Sequence, residues 1–438
     1  MTFRLGRSVA ALLIASATMA SCGRLASPSD VRAKTALQSA VDTTPPAFVT
    51  DAGKRGQKAW KEEQRFYQER GYQLAWSDGR RLRREFDALV RALRAADQEA
   101  LEPADYGVDD LAAARDRFTR DAAIDLDLRA SFAYVRYAWD LTHGAIDPED
   151  VDPTWHATKR GLELPDVLQS AVGGGQVEQS LQALAPASPE YRGLKRQLAL
   201  ARTRGDAAAV QQIAMNMERW RWLPGHLGQR YIIVNIPAFR LDAIENGQSV
   251  LDMKVVTGKR GSPTPVLADT MTTVVFSPYW NIPSTILEKE IAPKAEQDPE
   301  YLSRQHIEVD DNGRYRQLPG HGNSLGRVKF AFPNRYNVYL HDTPAQALFN
   351  RVARDFSHGC VRLDDPEALA RYVLRDQPEW TAERIAAAMQ RRTERVVKLK
   401  QPLPIYLVYF TAWEQDGGLQ TVADVYGLDR RHGAAKGQ

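Results

Sequence analysis

The chain has 438 residues, enough for two or three domains with cores of their own. Hydrophobic residues make up 43% and charged residues 26%, the balance of an ordinary globular protein. Lys plus Arg number 58 against 55 Asp plus Glu, a net charge of +3. That excludes the concentrated basic surface that nucleic acid would demand as the main partner, and leaves room for a polymer carrying both amines and carboxylates.

At the N-terminus, Arg4 and Arg7 precede the charge-free run Val9 to Ala20. The run is too short to span a bilayer and is followed by small residues, which predicts an export signal over 1–22 and a periplasmic location. A presequence or a membrane anchor is the alternative. Met19-Ala20-Ser21-Cys22-Gly23 resembles the lipobox of bacterial lipoproteins, with Met19 where Leu is usual. The resemblance implies lipidation of Cys22 and an anchor in the inner or outer membrane. Ordinary cleavage nearby would leave Cys22 a bystander. Residues 23–58, rich in Ser, Thr, Pro, Ala and Gly, are expected to form a flexible linker.

Residues 59–214 read as a helical domain. Leu82, Phe86, Leu89, Val90 and Leu93 recur at helical spacing, and Phe132, Val135, Tyr137 and Trp139 mark a second helix. Trp76, Trp139 and Trp155 are expected in packing. At about Met215 the pattern changes. Strands are expected at Tyr231 to Ile236, Phe239 to Ile244, Val250 to Thr257, Thr272 to Phe276 and Asn337 to Leu340, with a turn at Glu245-Asn246-Gly247. Residues 215–411 therefore read as a mainly β domain, and the fold class as α+β. Inside it, about 281–332 reads as an inserted lid, with a helix over Ser284 to Lys294 and a Gly-rich loop. Helices at Pro366 to Leu374 and Thr381 to Arg392, a strand at Ile405 to Phe410 and a tail over 412–438 complete the chain.

Beyond the signal region Cys360 is the one remaining cysteine, and an unpaired cysteine in an exported protein is a buried hydrophobe or a reactive thiol. Its neighbours favour the second. It lies in Ser357-His358-Gly359-Cys360-Val361-Arg362, with His341 19 positions upstream in Tyr339-Leu340-His341-Asp342. A thiol of ordinary pKa, about 8.5, needs a base at neutral pH. An imidazole supplies one and returns the proton to a leaving amine. Backbone N–H groups of a tight turn can hold the oxyanion, and Gly359 permits such a turn. Arg362 offers a permanent cation to a carboxylate; a structural ion pair is its alternative. The spacing of Cys360 with His321, His341 and His358 matches no structural zinc pattern.

His341, a gap of 15 residues, then Ser-His-Gly-Cys and a basic residue two positions on resembles the L,D-transpeptidase catalytic domain. Asn216-Met217-Glu218-Arg219-Trp220-Arg221-Trp222, Val234-Asn235-Ile236-Pro237, Pro278-Tyr279-Trp280-Asn281-Ile282-Pro283 and Leu340-His341-Asp342-Thr343-Pro344 resemble the subgroup with a helical scaffold domain. Many members of that subgroup carry a peptidoglycan-binding module between the two parts, for which Leu198 to Asn216 leaves no room. The resemblance implies Cys360 as nucleophile and His341 as base, with His358 shaping the turn or acting as base instead. It implies an oxyanion hole from the N–H groups of Gly359 and Cys360, with the Tyr339 hydroxyl as an added donor. Ser357, Arg362, Tyr339, Trp280 and Asn281 are then substrate-binding. The implied reaction releases D-alanine from tetrapeptide stems of peptidoglycan and forms 3→3 cross-links, with no metal or organic cofactor and with carbapenems as acylating inhibitors. A hydrolase of the same fold and a non-catalytic wall-binding scaffold are the competing readings.

Overall fold

The computed structural model describes residues 28–155 and 161–436, so the signal region and Cys22 lie outside the described residues. The first half is helical from the start. Helices Pro28–Asp42 and Gly53–Glu69 occupy the segment expected to be a linker. Leu37, Val41 and Val49 are buried in the helical core, and the Gln64 amide donates to the Val41 carbonyl. The segment's apolar stripe is thin, and tertiary burial overrides a composition that reads as a tether.

The long helix Ala123–His143 is the axis of this domain. Its buried Asp127 accepts from the backbone N–H groups of Ala75 and Trp76 and from the Tyr67 hydroxyl. Trp76 and Trp155 are buried, and Trp139 stacks on His143 with ring centres 4.3 Å apart. All three tryptophans thus serve packing.

Helices Pro189–Thr203 and Ala207–Arg221 are joined by a tight turn at 204–206, with Gly205 at φ 67° and the Asp206 carboxylate capping the second helix. No module is inserted there. Helix continues to Arg221, past the boundary expected at Met215, because the last turn is the joint between the two halves. Arg221 is buried, bonds Glu218 at 2.7 Å and the Tyr191 hydroxyl at 2.9 Å, and also reaches the Glu99 carbonyl. Glu218 accepts from the Ile146 N–H, and the Trp222 indole donates to the Ile146 carbonyl. On the other face Arg219 pairs with Asp429, Asn216 bonds Thr411, and Trp220 stacks on Phe410 at 4.7 Å.

Among the described residues the second half contains fourteen strands: β1 Arg230–Asn235, β2 Arg240–Glu245, β3 Gln248–Gly258, β4 Leu267–Phe276, β5 Trp280–Asn281, β6 Ile307–Val309, β7 Tyr315–Gln317, β8 Val328–Ala331, β9 Leu340–His341, β10 Asp355–Ser357, β11 Val361–Leu363, β12 Arg395–Val408, β13 Ala412–Gln415 and β14 Gly418–Thr421. Nine pair in the order β10-β3-β11-β9-β8-β4-β12-β1-β2, and a further β2–β3 pairing closes the sheet on itself. Asn246 and Gly247, both at positive φ, make the β2–β3 turn, as Asn-Gly pairs do. Helices Pro366–Leu374 and Ala382–Met389, begun by the Asp365 and Thr381 caps, cover the core with Leu369, Leu374 and Ile385.

The lid is more ordered than its glycines foretell. Residues 284–297 form one helical run that widens to π geometry over Leu287–Ile291. β5, β7 and β6 make a small sheet behind it. Nor is the end of the chain a loose tail. β13 and β14 form a hairpin, and Tyr426, Leu428 and His432 are buried.

Removing Arg221 would strand the buried Glu218 carboxylate. Arg221→Ala is expected to lower the unfolding free energy by about 3–5 kcal/mol, read by chemical denaturation. The exposed pair Arg129–Asp125 is the control, and Arg129→Ala should cost less than about 1 kcal/mol. A loss as small for Arg221 would show that the joint is not built on its charge network.

Candidate active site

Two short strands set the geometry. β9 and β11 run parallel, with Leu340 beside Val361 and His341 beside Arg362. Side chains alternate between faces, so Leu340 and Val361 go into the core. Tyr339, His341, Cys360 and Arg362 share the opposite face.

The turn ahead of β11 is held from both sides. The Ser357 hydroxyl donates to the Cys360 carbonyl at 2.5 Å and accepts from the Gly359 N–H at 3.1 Å. Thr264 accepts from the Gly258 N–H and donates to the Gly359 carbonyl, both at 2.8 Å. The Tyr426 hydroxyl, from the C-terminal segment, donates to the Gly258 carbonyl at 2.6 Å. Gly359 has φ 115°, a conformation that L side chains resist. Space is not the constraint, since a Cβ there would meet nothing closer than 3.6 Å. The loop before β9 is knotted by the Asn334 side chain, which bonds Phe332, Tyr336 and Val338.

The Cys360 sulfur lies 3.8 Å from the Asn337 carbonyl oxygen. The Tyr339 N–H and the Tyr339 hydroxyl both face it. Burial pushes the thiol above its ordinary pKa, while the two Tyr339 donors, Lys329 and Arg362 pull the other way. The resting sulfur therefore carries its proton. Burial and the contact with the sulfur raise the Tyr339 hydroxyl, which stays a donor.

His341 is buried, with Nδ1 2.5 Å from the Asp342 carbonyl oxygen. Burial, then Arg362, drives its pKa down to about 3; the Asp342 and Leu325 carbonyls oppose this, and Lys329 adds to it. The resting imidazole is therefore neutral. His358 points elsewhere. Its Nε2 is 2.7 Å from the Glu290 carboxylate in the π segment of the lid and 3.2 Å from the Lys259 ammonium. Among the described residues, neither imidazole hydrogen-bonds the thiol.

One sequence expectation is revised here. The Gly359 N–H, expected as one of two amide donors to an oxyanion, is already bonded to the Ser357 hydroxyl in the resting site. Trp280 and Asn281 lie in β5 of the lid's small sheet, paired with Gln317 and Arg316. Arg362 makes no ion pair among the described residues, and its buried Nε has no partner, as a group waiting for an anion would. Lys329, Glu290, Thr264 and Tyr426 escaped the sequence reading. The one local signal was Lys329 between the core residues Val328 and Phe330.

The depressed His341 pKa carries a sign. Between about 6.5 and about 3 the unfolded chain binds a proton that the folded chain refuses. Stability therefore falls as pH drops through that window. His341→Gln should lack this component, read as the difference between the two pH–stability profiles. Taking the difference removes Asp127 and Asp140, whose pKa values burial raises to about 6 and which act in the opposite sense. Identical profiles would rule out a neutral buried His341.

Comparison with known proteins agrees with this architecture. Residues 61–198 match the Scaffold domain model and residues 229–394 the L,D-transpeptidase catalytic domain model. A Haemophilus influenzae protein named "Putative L,D-transpeptidase" is 28% identical over 399 residues, covering 84% of this chain and 78% of that protein. Among solved structures, an L,D-transpeptidase from Mycobacterium smegmatis is 18% identical, with a TM-score of 0.24 over 41% of this chain and 58% of that one. L,D-transpeptidase 3 from Mycobacterium tuberculosis, in complex with a faropenem-derived adduct, is 17% identical, with a TM-score of 0.22 over 41% of this chain and 60% of that one. The chain thus spans less than two thirds of either structure. Residues 229–394 are thus an L,D-transpeptidase catalytic domain, with a Scaffold domain ahead of it over residues 61–198.

Proposed function

We propose that this protein is a cysteine L,D-transpeptidase of the bacterial envelope that forms 3→3 peptidoglycan cross-links. The observation that carries the proposal is the Cys360 sulfur facing two Tyr339 donors, with His341 and the unpaired Arg362 guanidinium on the same sheet face. In the resting site the thiol and the imidazole are both neutral. Attack begins when the thiol turns from the Asn337 carbonyl and gives its proton to His341. The sulfur then adds to the carbonyl carbon of the diaminopimelate–D-alanine bond of a tetrapeptide stem. The Cys360 N–H and the Tyr339 hydroxyl donate to the oxyanion. Collapse breaks the C–N bond, and D-alanine leaves with the proton returned by His341. An acceptor amine then attacks the thioester, frees Cys360 and completes the cross-link. Arg362 binds a donor carboxylate as a fixed cation. Residues 281–332 close over the donor and exclude water, which favours transfer over hydrolysis. Export by residues 1–22, with lipid attachment at Cys22, would bring the site to this substrate.

The test is intact mass of the protein incubated with disaccharide-tetrapeptide and, separately, with a carbapenem. A covalent adduct that is lost in Cys360→Ala, with a dimeric 3→3 product, is expected. Tripeptide as the sole product would make the protein a hydrolase. No adduct on folded protein with a free thiol would overturn the enzymatic reading.

A further inference from the structure

Lys329 has no part in the scheme above, yet its placement is specific. β8 pairs antiparallel with β9, so Lys329 stands directly opposite His341, as Arg362 does on the other side. The row Lys329, His341, Arg362 lies on the face that carries Tyr339 and Cys360. The Lys329 Nζ is 3.9 Å from the centre of the Tyr339 ring, within cation–π range. The hydroxyl at the far end of that ring meets the Cys360 sulfur. Among the described residues no carboxylate bonds this ammonium. Glu394 attracts it from a distance and is engaged with the Tyr279 N–H. A partly buried ammonium without a counter-ion is unfavourable unless an anion forms beside it. Here the neighbour that can become an anion is the Cys360 thiol.

We propose that Lys329 is a positioning residue of this site, whose ammonium clamps the Tyr339 ring so that its hydroxyl meets the Cys360 sulfur and whose charge stabilises the thiolate as it forms. The inference rests on the reading of Cys360 as the reacting thiol and goes beyond it. The charged and titratable groups facing the sulfur are Arg362 from β11, Tyr339 and His341 from β9, and Lys329 from β8. His358, held by Glu290 and Lys259, stands on the adjoining turn. Arg362 is permanently charged and His341 is held neutral. Removing Lys329 therefore acts on the thiol's own titration.

The experiment is the rate of Cys360 alkylation by iodoacetamide in the full chain as a function of pH, with Cys360→Ala as the blank. Lys329→Met should move the profile to higher pH by about one unit, which lowers the rate at neutral pH about tenfold. Lys329→Arg, which keeps charge and stacking, should stay within about threefold of wild type. In a Tyr339→Phe background the effect of Lys329→Met should shrink, because part of it runs through the hydroxyl. A Lys329→Met protein that folds like wild type with an unshifted profile overturns the proposal. If that variant fails to fold, Lys329→Gln is read by the same criterion. The readout is the thiol itself. A shifted profile without any cross-linked product would sink the transpeptidase reading and leave this one standing.

Discussion

The alternation of side chains on three neighbouring strands is the constraint on which this site depends. β8, β9 and β11 contribute four, two and three residues, too few to be stable alone. Their inward residues Val328, Phe330, Leu340, Val361 and Leu363 are fully buried and fix the register. Once that is fixed, the outward positions have no choice. Lys329, His341 and Arg362 must form one row, and Tyr339 and Cys360 the next. A one-residue slip would send the histidine into the core and a leucine into the site. The hydrophobic pattern therefore does more to place the chemistry than any bond between the thiol and the imidazole, which in the resting state share no hydrogen bond.

The same economy joins the domains. The helix Ala207–Arg221 begins among scaffold helices and ends as the joint, with Arg221 facing one half and Arg219 the other. Two buried guanidiniums two residues apart on a helix, about 200° around its axis, cannot both face the same partner. Trp220, between them, stacks on Phe410 at the end of β12. The scaffold is thus clasped to the segment that follows β12, the strand between β4 and β1.

The sequence disclosed what is local and hid what is distant. His341, Ser357, His358, Gly359, Cys360 and Arg362 were legible because thiol chemistry needs those residue types close together and a tight turn needs glycine. The Asn246-Gly247 turn was legible for the same kind of reason. Lys329 was not, because its meaning comes from sheet register, 31 positions from Cys360. Tyr426 was read as tail, since nothing near it shows that its hydroxyl will brace Gly258. The helix Pro28–Asp42 was read as tether because Leu37 and Val41 are a thin stripe in a Ser- and Ala-rich run, and their burial is decided by the helix they meet. That the Gly359 N–H is bonded in the resting site is not legible either, although the Ser357 hydroxyl that takes it lies only two residues away.

The charges of the resting site make sense as preparation for an anion that is not yet there. The thiol is protonated and the imidazole neutral, and beside them stand two cations that no carboxylate bonds among the described residues, one of them resting on the Tyr339 ring. Left so, burial works against each cation, and both Lys329 and Arg362 have their pKa values lowered by it. In the proposed mechanism, formation of the thiolate, then of the tetrahedral oxyanion, would relieve both at once. That is preorganisation, since the positive field is built by folding and needs no rearrangement when charge develops. In the proposed reaction a lid has to open and close over this floor without large cost. It reaches the nucleophile turn through Glu290 and His358, whose side chains are 44% and 34% exposed. So exposed a pair contributes about 0–1 kcal/mol, a tie weak enough for substrate to break on entry and to remake on closure. Strong, desolvated electrostatics on the rigid sheet and a weak, solvated contact on the moving part are the division that a site needing both precision and access requires.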